Sequence, residues 1–266
     1  MKDYPLLRLV PPVLRARDFH LYLQGGRRLT DLWQYGGAAV LGHTPPHILG
    51  ELKNTANRGL FTPFPHPLEH RLIKALSAIF PESVFRVYAD EATLRQALSA
   101  AGYAGDRPFA DPVFTPDGSP PVLWRPFLQE SPSPQPSLCV PLLPWALAPQ
   151  VLVIGIDDRP FPPSELLSPV LLAATVRSLY DLIAALPERG KAVFPLITEA
   201  LGTWRRKGIY LHYAEPLDEA QYSRLFLHFL EGGFLLPPSP EQPLILPGAL
   251  SPGEQAKLAE LLGFLL

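Results

Sequence analysis

Gly25-Gly26-Arg27-Arg28-Leu29-Thr30-Asp31, then Tyr35-Gly36-Gly37, then Leu41-Gly42-His43-Thr44-Pro45-Pro46: this stretch decides the fold. The glycine pair marks a tight turn, because glycine reaches the positive-φ backbone that hairpin turns require. Upstream of it, residues 13–17 and 20–23 have the composition of short strands. Downstream, residues 28–33 resume the extended pattern. Residues 8–34 therefore form a small antiparallel ribbon. Pro46 then opens a helix over 46–58, apolar at Ile48, Leu49 and Leu52.

Further along, residues 67–79 place Leu68, Leu72, Ile73, Leu76 and Ile79 at helical spacing. Residues 84–88 make a short strand. Residues 91–101 make a helix with the stripe Leu94, Ala97, Leu98 and Ala101, and Asp90 is its N-cap. Residues 105–137 carry few regular signals apart from an apolar patch at 122–124. The continuous apolar runs 138–143 and 151–156 suit strands buried on both faces of a parallel sheet. A long helix follows over 169–186, and another over 194–201. A strand spans 209–213, and a helix over 218–231 ends at Gly232-Gly233. Short strands follow at 234–236 and 244–246. Ser251-Pro252-Gly253-Glu254 opens the last helix, with Ser at the N-cap, Pro at the first helical position and Glu three residues on. No internal repeat is present.

Composition narrows the function classes. The 266 residues are 47% hydrophobic and 18% charged, with 23 basic against 25 acidic side chains. This is a globular composition, and its apolar surplus is suited to burial in a subunit interface. Net charge is −2, and no basic stripe runs along the chain, so no nucleic-acid partner is expected. The short clusters Arg27-Arg28 and Arg205-Arg206-Lys207 read as solvated surface. The single cysteine, Cys139, excludes a disulfide framework and suggests a reducing compartment. No secretory signal opens the chain and no apolar run is expected to span a membrane, so cytoplasm is the expected location. The 34 prolines cluster at joints between apolar segments rather than inside helices. His43, His47, His66 and His70 lack the spacing of a compact metal site, and no metal is expected.

The order of motifs over residues 13–46 resembles the N-terminal segment of the class III aminotransferases: a "DG-x-x-Y-x-D" hairpin, a glycine-containing stretch, then "LGH-x-x-P" opening a helix. The glutamate-1-semialdehyde aminomutase subgroup is the nearest likeness. Residues 225–263, with Glu231-Gly232-Gly233-Phe234-Leu235-Leu236-Pro237-Pro238-Ser239-Pro240, resemble that subgroup's "LLERGVYLPPSPFE" and its final helix. Residues 169–182 resemble the "NPLAMAAGLATL" helix. The likenesses keep their order along most of the chain, and His43 belongs to the shared motif, with a structural role.

The resemblance implies a cofactor, pyridoxal phosphate, and four supports for it. These are a lysine Schiff base, an aspartate on the pyridine nitrogen, a Gly-rich phosphate turn at a helix N-terminus and an aromatic ring stacked on the cofactor. The phosphate turn "SGTEA" has become Tyr88-Ala89-Asp90-Glu91-Ala92. Without glycine the backbone cannot approach a phosphate as closely, and the Asp90 carboxylate repels one. The stacking aromatic of the "YHG" segment has only Phe114 as a weak substitute. Asp157, after the strand that resembles the one ending in "DEV", is the vestigial pyridine-nitrogen partner. The lysine, expected in a "K-x-x-GGG" setting between that strand and the 169–182 helix, has no counterpart. The chain's lysines are Lys2, Lys53, Lys74, Lys191, Lys207 and Lys257, none of them in that setting.

The expected fold is α/β, a shortened pyridoxal-phosphate-dependent transferase fold of type I. It has a mostly parallel sheet flanked by helices and a small α+β domain formed by both chain ends. The expected division is an N-terminal ribbon over 1–35, a large α/β domain over 36–186 and a C-terminal α+β part over 187–266. Family likeness implies a homodimer. Three functions stay open. One is a catalytically inactive aminotransferase-like protein with a binding or scaffolding role, for which no cofactor and no catalytic residue are expected. The second is a pyridoxal-phosphate-dependent aminotransferase or aminomutase using an unexpected lysine. The third is a binding module for a different small molecule near Tyr88, Ala89, Asp90 and Asp157, or for a partner protein.

Overall fold

The ribbon forms as the Gly25-Gly26 pair requires, both residues standing at positive φ (89° and 82°). The computed structural model describes residues 4–103, 109–114, 121–128, 137–155, 159–189 and 194–264. A 3-10 turn at Pro5–Leu9 precedes β1 (Val13–Arg17), which pairs antiparallel with β2 (His20–Leu23), and β2 pairs antiparallel with β3 (Arg28–Asp31). Leu21, Leu23 and Leu29 are buried, the every-second-residue signature of a sheet with one covered face.

The middle of the chain runs α1 (Pro46–Ala56), α2 (Leu68–Ile79), β4 (Val84–Tyr88), α3 (Glu91–Ala100), β5 (Val122–Trp124), β6 (Leu138–Pro141), β7 (Gln150–Ile154) and α4 (Pro169–Arg189). It ends with α5 (Pro195–Glu199), β8 (Trp204–Lys207), β9 (Tyr210–Tyr213), α6 (Glu219–Glu231), β10 (Phe234–Leu235), β11 (Leu244–Ile245) and α7 (Pro252–Leu262). The chain divides into two compact units. One comprises residues 1–44, 127–130 and 188–266, the other 45–126 and 131–187.

In the second unit the sheet order is β4-β7-β6-β5. Its side chains alternate between two cores. Phe85, Val87, Cys139, Val151 and Val153 face one way, where Leu72, Ala75 and Leu76 of α2 and Leu172, Val176 and Leu179 of α4 cover them. Tyr88, Leu138, Val140, Leu152 and Ile154 face the other way, against Leu94, Ala97 and Leu98 of α3. Helices on both faces explain the unbroken apolar runs. They do not fix strand direction: among the described strands β4 and β6 each pair antiparallel with β7, and β5 pairs parallel with β6. The sheet is therefore mixed, not mostly parallel, because a strand covered on both faces is apolar throughout whichever way its neighbours run.

The helix α4 is more apolar than the sequence alone suggested. Its stretch Pro169–Pro187 has a mean hydropathy of 1.5 and is by length and composition alone long and apolar enough to cross a membrane, though half of that stretch is buried within this fold. Its buried Thr175 and Ser178 hydroxyls are satisfied by the helix's own carbonyls, Leu171 O and Thr175 O.

The first unit joins the two chain ends. Strand β10 pairs parallel with β3, Phe234 opposite Thr30 and Leu235 opposite Asp31. A second sheet has the order β11-β9-β8. Its hairpin was not expected: Arg205-Arg206-Lys207, expected as a solvated cluster, lie on β8 beside the buried Trp204. Gly208 makes the turn possible. It stands at φ 57°, and a Cβ there would lie 2.0 Å from the Phe127 carbonyl oxygen. The helices α6 and α7 open with reciprocal capping boxes, Asp218 with Gln221 and Ser251 with Glu254.

Candidate functional site

The turn from β4 into α3 is Tyr88-Ala89-Asp90. Asp90 is extended (φ −151°, ψ 175°), and its carboxylate accepts from Thr93 N at 2.8 Å and from Thr93 Oγ1 at 3.0 Å. The backbone hydrogen bond from Thr93 is the largest influence holding the Asp90 carboxyl below its ordinary pKa. Tyr88 is buried, and its hydroxyl donates to Pro162 O at 2.9 Å. Burial pushes that hydroxyl's pKa up, the positive Arg86 opposes this, and the negative Glu165 adds to it.

The strand β4 is an edge strand, paired on one side with β7. On its other side a strap of the chain, residues 161–167, meets the end of the strand. Glu165 N donates to Val87 O at 2.9 Å, and Val87 N donates to Ser164 Oγ at 3.0 Å. One step on, Ala89 N donates to the Glu165 carboxylate at 2.7 Å. The strap's ends are buried on opposite faces of the sheet, Phe161 with the α3 side and Leu167 with the α2–α4 side. Open strand edges recruit other chains, and the strap satisfies the Val87 N–H and C=O of this one.

Of the residues proposed from sequence, Tyr88, Ala89 and Asp90 come together in this turn, while Asp157 lies outside the described residues. Phe114 sits in a turn, its N–H bonded to Asp111 O at 3.0 Å. Asp111 in turn grips the buried Arg125 guanidinium, Nη2 to Oδ2 2.6 Å. Four lysines are described: Lys53 on α1, Lys74 on α2, Lys207 on β8 and Lys257 on α7, of which Lys53, Lys74 and Lys257 are exposed. His43 Nε2 lies 2.8 Å from the buried Asp31 carboxylate, and His47 Nδ1 lies 3.2 Å from Asp181. Among the described residues no group of three or more His, Cys, Asp or Glu could hold a metal ion.

Ser164 and Glu165 were not singled out from the sequence. A lone acid in a proline-rich joint has no spacing signal, and its partner lies 76 residues away. The one hint was the pattern itself, two apolar residues bracketing prolines between a strand and a helix.

Comparison with known proteins places the chain. It is 30% identical to an uncharacterized protein of Treponema pallidum over 91% of both chains. The chain belongs to that protein's family. It is also 32% identical to a glutamate-1-semialdehyde 2,1-aminomutase of Thermus thermophilus over 103 residues, 37% of this chain and 24% of that one. Among solved structures, an (S)-enantioselective omega-transaminase of Thermomicrobium roseum superposes with a TM-score of 0.72 at 13% identity, covering 98% of this chain and 94% of that one. A glutamate-1-semialdehyde aminomutase of Pseudomonas aeruginosa gives 0.71 at 12% identity, covering 94% and 86%. No family model matches the chain. The class III aminotransferase resemblance thus stands, in shortened form, and the fold is that of these enzymes.

These neighbours overturn one expectation. The chain was expected to have no cofactor, but its fold is shared with pyridoxal-phosphate-dependent aminotransferases, and the fold points to that cofactor. The β4–α3 turn, however, does not fit the cofactor's phosphate as arranged. The Ala89 and Thr93 N–H groups already hold the carboxylates of Glu165 and Asp90. A phosphate brought to the same place would meet two like charges and no free donor at either amide.

Proposed function

We propose that this family member keeps the aminotransferase fold without carrying out transamination, and that it acts by binding or scaffolding. The observation that carries this is the β4–α3 turn, whose Ala89 and Thr93 amides are committed to the chain's own carboxylates. The sequence adds support, since residues 155–168, which join β7 to α4, contain no lysine. Transamination needs an amine that bonds covalently to the cofactor aldehyde, placed where the ring is held. Lys53 and Lys74 are exposed on helices of the same unit, the ordinary setting of a solvated lysine. The proposal concerns the reaction, and pyridoxal phosphate remains the cofactor to which the fold points.

The likeness to working transaminases favours a second reading, an enzyme using one of these other lysines. An amino-transfer assay separates the two. The full chain is supplied with pyridoxal phosphate, a panel of α- and ω-amino donors and a keto-acid acceptor. The proposal predicts no amino-acid product above the cofactor-only control. Steady turnover that is lost on replacing one lysine by arginine would establish the enzyme instead.

A further inference from the structure

We propose that residues 161–167 are a plug acting in cis: the Glu165 carboxylate takes the place at the Ala89 N–H that a ligand phosphate would take, and closes the β4–α3 turn to anions. The proposal deepens the preceding one, because it rests on the same turn. The geometry has three parts. The strap is pinned at both ends by buried apolar side chains, Phe161 at 8% and Leu167 at 4% exposure. Between them Pro162 and Pro163 fix φ and offer no N–H, so this stretch is stiff and cannot lengthen the sheet as a full strand. It therefore meets β4 at its end only, through Ser164 and Glu165, and the register that satisfies Val87 sets the Glu165 side chain on Ala89 N.

Each element of the contact has a definite job. The Tyr88 hydroxyl donates to Pro162 O and ties the proline pair to the turn. The Glu165 backbone completes the edge. Its carboxylate makes a charge-assisted hydrogen bond, the stronger class of such bonds. A carboxylate at a helix N-terminus is also favoured by the helix dipole, so the plug supplies the interaction an external anion would otherwise offer. Glu165 itself is solvent-exposed, which leaves the plug displaceable by substitution without emptying either core.

The test uses the full chain and two probes, pyridoxamine 5′-phosphate and inorganic phosphate. Neither has an aldehyde, so neither can react with a lysine, and the result is independent of whether the protein transaminates. Affinities are read by titration calorimetry for the wild type, Glu165→Ala and Glu165→Gln. Amide exchange at Ala89 is read by NMR on the same samples. The plug predicts a protected Ala89 N–H in the wild type and faster exchange in the alanine variant. It also predicts an affinity gain of about tenfold or more for pyridoxamine 5′-phosphate in that variant, with a smaller gain for glutamine, which keeps an acceptor but loses the charge. If the alanine variant does not fold, the glutamine variant decides by the same two readings. Unchanged affinities in folded variants, or an unprotected Ala89 in the wild type, would overturn the proposal.

Discussion

Asp31 holds the N-terminal motif together. It is 2% exposed, and one carboxylate oxygen accepts from Trp33 N at 2.8 Å and from Gln34 N at 2.9 Å, while the other faces His43 Nε2 at 2.8 Å. The residues it caps are in an uncommon state: Gln34 and Tyr35 both have left-handed backbone, φ 49° and 51°. Non-glycine residues enter that region at a cost of about 1–2 kcal/mol each, so the contacts that hold them there are needed. Replacing Asp31 by alanine is expected to lower unfolding free energy by about 3 kcal/mol, and His43→Ala by about 1–2 kcal/mol, read from urea midpoints. The double variant should cost less than the two singles added, because they share one contact. Strict additivity would contradict this pairing. Both residues were visible in the sequence as parts of a motif, and the resemblance assigned His43 a structural role. The contact itself was not visible, since no spacing rule joins an Asp to a His twelve residues on. Tyr88, Ala89 and Asp90 were legible as a turn and a cap for a local reason: strand, turn and helix follow one another directly. Glu165 was not legible, because its meaning comes from a residue far away in the chain.

At the scale of elements, one carboxylate ties α7 to the ribbon. Glu254 closes its own capping box with Ser251 and also reaches His20 Nε2 at 2.8 Å and Thr30 Oγ1 at 3.2 Å. Burial alone would raise its pKa, but the hydrogen bonds from Ser251 and His20 outweigh burial and bring it down to about 2. A depressed carboxylate stabilises the fold above its unfolded pKa and loses that contribution as pH falls through the folded value. Between about pH 4.5 and pH 2 the wild type should therefore lose about 2 kcal/mol more than Glu254→Gln, after allowance for solvent screening. Parallel stability–pH curves for the two proteins would refute it. Caps of this kind were legible because they are local, and Ser251-Pro252-Gly253-Glu254 announces its helix within four residues. Strand pairing was less so. Hairpin β8–β9 was hidden by a basic run, and the antiparallel pairing of β4, β7 and β6 leaves no trace in strands covered on both faces.

At the scale of the whole chain, shortening is the governing fact. The join between β7 and α4 carries the strap, and the strap meets the end of β4 and the turn beside it. One segment therefore joins the end of the sheet edge to the candidate site. The measurement that tests this most directly is borohydride reduction of the protein mixed with pyridoxal phosphate, followed by peptide mass mapping of all six lysines. The account predicts no lysine labelled in preference to the exposed ones, and no visible aldimine band beyond that of free cofactor. Stoichiometric labelling of one specific lysine, with a stable aldimine band before reduction, would contradict it and make this chain a working pyridoxal phosphate enzyme with a relocated Schiff base.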